Sequence, residues 1–187
     1  MKTIELSHYP TLASAIQWGP VTSTFELGTN ADEALVSNVS IIPCVGDQYV
    51  IFEIANGGWE LPGGTLEQGE FYLDGLRREM MEELGAELIT FHRFGYFNCK
   101  SSADKPYRPY IPHPHFVRLV GYGEVQIVGN PLNPEDGEQV IAVEVVDIDE
   151  AVARLESCQR HDIAQLYRLA HDIRREILNE AKDSIKS

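Results

Sequence analysis

The sequence predicts an α+β fold in which a mixed central β-sheet carries helices on both faces. Segments rich in β-branched and aromatic residues occur both before and after a central helical pattern that runs from Phe71 to Leu84. Two further helical patterns follow the last predicted strand. Strands on both sides of a central helix, followed by closing helices, imply an α/β/α sandwich.

The N-terminal part of the chain shows the weakest pattern. Ile4–Leu6 and Val21–Leu27 are predicted as short strands, and the turn-like Trp18-Gly19-Pro20 separates them. Residues 1–35 form an N-terminal extension beyond what a minimal domain needs. An additional strand pair, a dimer contact and a lid over a substrate are all compatible with it. The main domain is expected to span residues 36–187, including the C-terminal helices.

Strands are predicted at five places in the main domain. They share a high content of β-branched and aromatic residues and lie at Val39–Pro43, Tyr49–Ile54, Ile89–Asn98, His115–Val128 and Val140–Val146. Gly46-Asp47 predicts a hairpin turn between the first two. A loop with four prolines, Lys100–Pro114, separates two of the later strands.

Apolar spacing predicts three helices. In the first helix, residues at intervals of three and four form one apolar stripe: Leu73, Leu76, Met80 and Leu84. Gly85 is a natural helix end. The second helix is expected over Asp149–Ser157 with Asp149 as its N-cap, and the third over Asp162–Glu180.

The composition excludes some classes of partner. The formal net charge is −14, from 29 acidic residues against 15 Lys and Arg. Nucleic-acid backbones and anionic membranes are bound by basic surfaces, so neither is expected as a partner. The sequence has no signal-peptide pattern, no apolar run of the ~20 residues that a membrane span needs, and three scattered cysteines without metal-site spacing. A cytoplasmic location is therefore expected.

An acidic face on the first predicted helix indicates metal binding. Glu79, Glu82 and Glu83 are spaced i, i+3 and i+4, so they share one face of an α-helix. Carboxylates this close repel one another and weaken a helix, whereas Mg²⁺ and Mn²⁺ prefer clustered oxygen ligands. The upstream pair Gly63-Gly64 permits a tight turn that can direct a backbone carbonyl at the same cation.

An arginine in the same helix is expected to act as a brace. Arg78 should point away from Glu79 and pair with Glu67 or Glu70, which would tie the preceding loop to the helix.

The segment Gly64–Ala86 resembles the Nudix box, G-x5-E-x7-R-E-U-x-E-E-x-G-U, where U is a bulky aliphatic residue. The fixed positions are filled by Gly64, Glu70, Arg78, Glu79, Met80, Glu82, Glu83, Gly85 and Ala86. The resemblance implies a Nudix-like fold and a divalent-metal-dependent hydrolase. Such an enzyme cleaves a diphosphate bond in a nucleoside triphosphate, nucleotide sugar or dinucleotide, with water attacking phosphorus.

The resemblance also implies the site residues. The expected ligands of Mg²⁺ or Mn²⁺ are Gly64 through its carbonyl, Glu70, Glu79, Glu82 and Glu83. The expected catalytic set is Arg78, Glu79, Glu82 and Glu83. The general base is left open, because it varies within the family. The loop acids that are candidates for it are Glu135, Asp136 and Glu138, although each is by itself more often a solvated residue.

Substrate contacts are predicted near the box and in the proline-containing loop. Trp59, Tyr107 and Arg108 are the chosen candidates, with Phe97, Tyr110, Lys100 and Lys105 as further ones. Core positions for Trp59 and Phe97, and surface positions for the loop charges, are the open alternatives. His113 and His115 are interpreted as loop or strand-edge residues, because a zinc site needs three or four ligands.

A non-catalytic nucleotide-sensing Nudix module is the alternative function. The intact box glutamates favour the enzyme, and the sequence has no basic helix-turn-helix segment of the kind that a transcriptional sensor would need. The expected partners are a small-molecule diphosphate and, as a further candidate, a second copy of the chain in a homodimer.

Overall fold

The computed structural model describes residues 4–55, 57–135 and 137–185, with side chains described as far as residue 181. Ten strands form in this part of the chain: β1 (Ile16–Trp18), β2 (Val21–Leu27), β3 (Val36–Val45), β4 (Gln48–Ile54), β5 (Trp59–Glu60), β6 (Gly63–Thr65), β7 (Ala86–Leu88), β8 (His92–Ser101), β9 (His115–Ile127) and β10 (Val140–Val146). The helices are α1 (Tyr72–Glu79), α2 (Ile148–Ser157) and α3 (His161–Ile185), with a π-helical turn at Met80–Leu84 and 3-10 turns at Leu6–His8 and Glu33–Leu35.

The sheet is mixed, which confirms the prediction. Its strand order is β1-β2-β8-β9-β3-β4-β10, with β5 paired to β4, β6 to β3 and β7 to β9. The central pair β3 and β9 is parallel, and the other pairs are antiparallel. The predicted hairpin between β3 and β4 is present, with Cys44 opposite Tyr49.

Two apolar clusters place helices on opposite faces of this sheet. On one face, α1 and the π-helical turn bury Leu76, Met80 and Leu84 against Val39 and Ile41 of β3. On the other face, α2 and α3 pack on a second cluster, with side chains that include Leu155 and Tyr167 against Ile42 and Ile51. We refer to these as the α1 face and the α3 face. The α/β/α arrangement is therefore confirmed.

Alternation along the two central strands decides which residues face the site. Val39 and Ile41 of β3 point to the α1 face, so Asn38, Ser40 and Ile42 point to the α3 face. On β9, Val117 and Leu119 belong to the α1 face, which leaves Phe116 and Arg118 on the α3 face. Asn38, Ser40 and Arg118 are therefore polar residues on the α3 face, whose core cluster is apolar.

The N-terminal residues extend the sheet. β1 and β2 form a hairpin, and β2 pairs with β8 over its whole length, as expected for a strand at Val21–Leu27. The prediction of a strand at Ile4–Leu6 is wrong, because this segment leads into a 3-10 turn. Tyr9 and Leu12 after that turn are buried, and the Tyr9 hydroxyl donates to Asp172 Oδ2 of α3 at 2.6 Å.

Other element boundaries differ from the sequence prediction for local reasons. The strand predicted at Ile89–Asn98 begins later and runs further, as β8 at His92–Ser101, because residues 89–91 connect it to β7. The N-cap of α2 is Asp147 rather than Asp149, since Asp147 Oδ1 accepts from the Glu150 amide at 2.9 Å. Within the described residues, no helix is long and apolar enough to cross a membrane.

Candidate active site

Two glycines shape the turn that enters the box. In β6, Gly63 lies opposite Ser40 and Gly64 lies opposite Val39 of β3. Gly63 has φ of 128°, and a Cβ there would overlap the Val39 carbonyl oxygen, so only glycine allows this approach to β3. A Cβ on Gly64 would instead overlap the Glu79 carboxylate. The missing side chain at Gly64 is therefore what lets Glu79 reach the turn.

The helix that carries the glutamates changes its geometry at Glu79. Three members of the predicted apolar stripe, Leu76, Met80 and Leu84, are fully buried, whereas Leu73 is only partly buried. The last five residues form a π-helical turn instead of α-helix. Such turns are often found at functional sites. Glu82 extends toward Arg78, whereas Glu83 extends toward Gly63. Gly85 ends the helix in the left-handed conformation with φ of 61°, as expected of a helix-ending glycine.

Arg78 is the centre of a polar network. Its Nε and Nη2 donate to the two carboxylate oxygens of Glu70, each at 3.0 Å, which confirms the expected brace. Nη2 also donates to the Thr65 carbonyl at 3.3 Å. The expectation that Arg78 points away from Glu79 is wrong, since Nη1 donates to Glu79 Oε1 at 2.9 Å and to Glu82 Oε2 at 3.3 Å. The long flexible side chain allows this reach, so Arg78 bridges the loop and three glutamates.

Glu67, the other predicted partner of Arg78, has a different role in the structure. It is not an ion-pair partner of Arg78. Its backbone amide donates to Glu70 Oε2 at 2.8 Å, so it helps to orient the brace. The hydrogen bond from Arg78 holds the pKa of Glu70 below its ordinary value.

Burial raises the pKa of two box carboxylates. The pKa of Glu83 lies well above its ordinary value because the group is buried, and its hydrogen bond from the Gly63 amide, at 2.8 Å, opposes the rise. The negative charges of Glu79 and Glu138 raise it further, and the positive charge of Arg118 lowers it. Burial also raises the pKa of Glu79, against the effect of Arg78. Crowded, desolvated carboxylates of this kind favour a cation or a proton.

The donor set fits a hard divalent cation. Glu79, Glu82 and Glu83 supply carboxylate oxygens, and Gly64 leaves room beside the backbone for the Glu79 carboxylate. Among the residues that the structure describes, no three Asp, Glu, His or Cys side chains are gathered as a metal site. The three box glutamates are held apart by their hydrogen bonds. Arg78 Nη1 donates to both Glu79 and Glu82, and Glu83 accepts from the Gly63 amide instead. Cation binding would exchange these contacts for carboxylate–cation contacts.

A cavity of about 410 Å³ opens next to the box. Thr65, which follows Gly64, lines it together with Asn38, and the two side chains are hydrogen-bonded at 2.9 Å. Phe116 of β9 and Tyr107 of the proline-containing loop line the cavity as well. Most of its surface is apolar, which suits a flat organic group with a few polar contacts.

Of the three chosen substrate-contact candidates, only Tyr107 lines the cavity. Tyr107 is 82% exposed and lines the cavity, as do the further candidate Lys105 and His113. Arg108 extends away, over the Tyr107 ring at 5.7 Å and toward the Tyr110 hydroxyl at 3.2 Å. Trp59 lies under Arg154 of α2 at 4.9 Å and is partly buried, away from the cavity. Phe97 is a core residue, 1% exposed.

The structure brings one of the loop acids close to the box. The pKa of Glu138 is raised, first by burial and then by the charge of Glu60, and Glu138 in turn raises the pKa of Glu83. Its side chain nevertheless keeps an open surface, so it borders solvent as well as the box. Glu135 is exposed, and Asp136 lies outside the described residues.

Sequence reasoning missed a pair on the α3 face. Arg118 Nε donates to Ser40 Oγ at 2.7 Å, and the Arg118 guanidinium lies 5.7 Å from the Trp18 ring centroid. The available signal was a charged residue in a strand, two positions after Phe116 and therefore on the same face.

Comparison with known proteins agrees with this geometry. A family model described as NUDIX domain matches residues 36–169, and no curated protein matches the chain significantly. A variant of the Bacillus subtilis pyrophosphohydrolase BsRppH is similar in fold, with a TM-score of 0.54 and 15% identity over 71% of this chain and 76% of that chain. A NUDIX hydrolase from Nitrosomonas europaea has a TM-score of 0.47 and 18% identity over 69% of this chain and 89% of that chain. A MutT NUDIX hydrolase from Burkholderia pseudomallei has a TM-score of 0.44 and 20% identity over 60% of this chain and 82% of that chain. The model match covers most of the chain and includes the whole box, and the chain therefore belongs to the Nudix family.

Proposed function

We propose that the protein is a divalent-metal-dependent hydrolase that cleaves a diphosphate bond in a nucleoside-diphosphate-linked small molecule. The observation that carries this proposal is the crowding of Glu79 and Glu83, whose pKa values are raised by burial beside the glycine turn. Buried carboxylates cost stability unless a cation or proton compensates them. A carboxylate cluster that costs stability, beside a turn whose Thr65 lines a cavity, is characteristic of a functional site.

Glu79, Glu82 and Glu83, with the Gly64 carbonyl, would hold Mg²⁺ or Mn²⁺, and Glu70 would support them through Arg78. When bound, the cation neutralises negative charge on the diphosphate and lowers the pKa of water. The chain's own residues position these groups. Arg78 fixes the loop on the helix, and the buried stripe fixes the helix on the sheet.

Glu138 is our candidate for the general base. It is near enough to Glu83 to raise the pKa of that carboxyl, and its own raised pKa makes it a stronger proton acceptor than an ordinary carboxylate. The cavity lined by Phe116 and Tyr107 would take the organic group of the substrate, and Arg108, which lies over the Tyr107 ring, would have to turn to contact it. Trp59 has a structural position instead, against Arg154.

The cytoplasm is the compartment we propose, because Cys44 and Cys99 are buried free thiols. A homodimer remains a proposal that light scattering after size exclusion would test.

The function is tested by assaying a panel of GTP, UDP-glucose and diadenosine tetraphosphate with Mg²⁺, with Mn²⁺ and with chelator. We expect hydrolysis of at least one compound with a metal ion and none with chelator. Glu82→Gln and Glu83→Gln should lower kcat by about 100-fold or more, whereas Glu87→Gln, an exposed residue of β7, should not. Hydrolysis in chelator, or full activity in both box variants, would contradict the proposal. Binding of a nucleotide without hydrolysis of any compound would favour the sensing module.

A further inference from the structure

Arg118 is an arginine with an unusual set of contacts. Its Nε donates to the buried Ser40 hydroxyl at 2.7 Å, and its guanidinium faces the Trp18 ring. Among the described residues, no carboxylate lies within ion-pair distance of it. The neighbouring Arg160, in contrast, is paired with both Glu60 and Asp162. The terminal nitrogens of Arg118 therefore donate to no acid of the described chain, although nearby carboxylates act on its charge from beyond ion-pair distance.

The position of the Arg118 guanidinium disfavours its positive charge. Burial lowers the pKa of Arg118, and the positive charge of Arg160 lowers it further, whereas the negative charges of Asp162 and Glu60 oppose this shift without reversing it. Part of the residue still has accessible surface, so Arg118 is not sealed from solvent. A largely buried charge without a directly paired acid weakens the fold, and an anion bound to its terminal nitrogens would offset that cost.

The position of Arg118 connects the box to the cavity. Ser40, which orients it, lies opposite Gly63, and the Gly63 amide donates to Glu83. On the other side, Asn38 is the strand neighbour of Arg118 and lines the cavity together with Phe116. Arg118 thus lies between the carboxylates and the cavity, on the α3 face. A substrate that reaches from the cavity to the box would pass this guanidinium.

We propose that Arg118 is a substrate-binding residue whose guanidinium, oriented by Ser40, binds a phosphate of the diphosphate group. This inference rests on the proposed function. A guanidinium presents paired N–H donors that match phosphate oxygens, and it keeps its charge in a buried site. Ser40 holds Nε and leaves the terminal nitrogens for the anion. The paired Arg160 has no such capacity, because Glu60 and Asp162 already compensate it.

The test is calorimetric titration with methylenediphosphonate, a diphosphate analogue with a carbon bridge that water does not cleave, in the presence of Mg²⁺. Arg118→Gln should weaken binding by about 10- to 100-fold, because a charge-assisted hydrogen-bond pair is lost. Arg118→Lys should weaken binding less, because lysine keeps the positive charge but lacks the paired N–H donors of the guanidinium. The matched control is Arg175→Gln, which makes the same charge change at an exposed position of α3.

A purely structural role for Arg118 predicts a different result. Arg118→Gln would then unfold at a lower temperature, and the folded fraction would bind the analogue as wild type does. Ser40→Ala gives a second measurement if Arg118→Gln does not fold, because it removes the orienting bond and should weaken binding severalfold. Equal affinity in wild type, Arg118→Lys and Ser40→Ala would overturn the inference, as would a wild-type protein that does not bind the analogue.

Hydrolysis separates this inference from the proposed function. A protein that binds the analogue through Arg118 but hydrolyses no diphosphate would keep the inference and contradict the enzyme. In an active protein, Arg118→Gln should raise KM for the hydrolysed compound more than it lowers kcat. An active protein whose Arg118→Gln variant has wild-type KM and wild-type affinity for the analogue would contradict the inference and leave the enzyme standing.

Discussion

Arg78 binds Glu70 through two parallel hydrogen bonds, from Nε and Nη2 to the two carboxylate oxygens, each 3.0 Å long. This fork joins the glycine-containing loop to α1 across eight residues. Both side chains are largely covered, with 26% and 14% of their surface exposed, so the pair is screened less than a surface ion pair. The same guanidinium reaches Glu79 and Glu82, which couples the brace to the acidic cluster.

Replacing Arg78 by Lys should loosen the loop while keeping the charge. Lysine cannot bind both oxygens of Glu70 in one plane. We expect a loss of about 1–3 kcal/mol in the free energy of unfolding, as for hydrogen bonds to charged groups, and a fall in kcat of about 10-fold or more. Urea denaturation and steady-state kinetics measure the two effects. Arg77→Lys is the control, because its pair with Asp74 is exposed and should contribute less than ~1 kcal/mol. Equal losses in both variants would contradict this account.

Glu83→Gln should raise the thermal stability of the protein while it lowers the activity. The Glu83 carboxyl is buried beside Glu79, and its raised pKa shows that the folded protein disfavours its charge. The neutral amide keeps an oxygen for the Gly63 amide and removes the repulsion. We expect Tm in chelator to rise by about 2–4 °C, which corresponds to ~1 kcal/mol in a chain of this size. The stabilisation that wild type gains from Mg²⁺ should disappear.

Thermal unfolding with and without Mg²⁺ measures both effects. A lower Tm in chelator would mean that the charge of Glu83 stabilises the fold. A Mg²⁺-dependent shift that survives in the variant would mean that Glu83 does not hold the cation. Glu87→Gln, on exposed β7, should behave as wild type.

The sheet and the helix of the box could be predicted because local rules decide them. The stripe of Leu76, Met80 and Leu84 follows helical spacing, and all three residues are buried. The strand at Val140–Val146 has its predicted bounds. A brace from Arg78 to Glu67 or Glu70 was expected because both acids lie in the turn before the helix, and Glu70 is its partner.

Long-range contacts decide what the sequence could not predict. Arg118 is read as an ordinary strand residue until the parallel pairing of β3 and β9 brings Ser40 beside it. The π-helical turn after Glu79 has no local signal, because it depends on how the helix packs on the sheet. Glu138 becomes distinct from Glu135 only through its distance to Glu83, which the loop and the sheet set together.

Gly85→Ala should cost much more than a glycine substitution in the nearby loop. Gly85 has φ of 61°, and a Cβ there would meet the Asn130 backbone at 2.6 Å. Backbone atoms cannot move aside as a side chain can. We expect a loss of about 2–4 kcal/mol in the free energy of unfolding. Gly69→Ala is the matched control, since Gly69 also has positive φ, 76°, but open space around it, so only ~1 kcal/mol is expected. Similar losses would show that backbone conformation alone accounts for the effect.

Glu138→Gln tests the choice of base. If Glu138 accepts the proton of the attacking water, its amide should lower kcat by about 100-fold or more with little change in KM. Glu135→Gln in the same loop is the control, because both residues are exposed but only Glu138 is close enough to Glu83 to raise the pKa of that carboxyl. The assay is the pH profile of kcat, in which the rise of kcat with pH on the acidic side, which reports deprotonation of the base, should be lost only in Glu138→Gln. Equal kcat in the two variants would remove Glu138 from the catalytic set.

The contact between His171 and Tyr49 should make the fold sensitive to mild acid. Arg174 Nη1 donates to the Tyr49 hydroxyl oxygen at 2.9 Å, and the hydroxyl is 3.0 Å from His171 Nδ1, so a neutral ring can accept its hydrogen. Burial lowers the pKa of His171, with Arg175, Arg168 and Arg174 adding to the effect and Asp172 opposing it.

The direction of the effect follows from proton uptake. The unfolded chain has the ordinary histidine pKa of about 6.5, and the folded chain has a lower one. Between these two values the unfolded state binds more protons, so the free energy of unfolding falls as pH falls below about 6.5. The contribution of the neutral ring is complete above that pH and is lost once pH is below the folded pKa. His171→Gln keeps an acceptor for Tyr49 without titrating. The stability of wild type relative to His171→Gln should therefore decrease from pH 8 to pH 5 in urea denaturation. A difference that is constant with pH, or that grows in acid, would contradict the prediction.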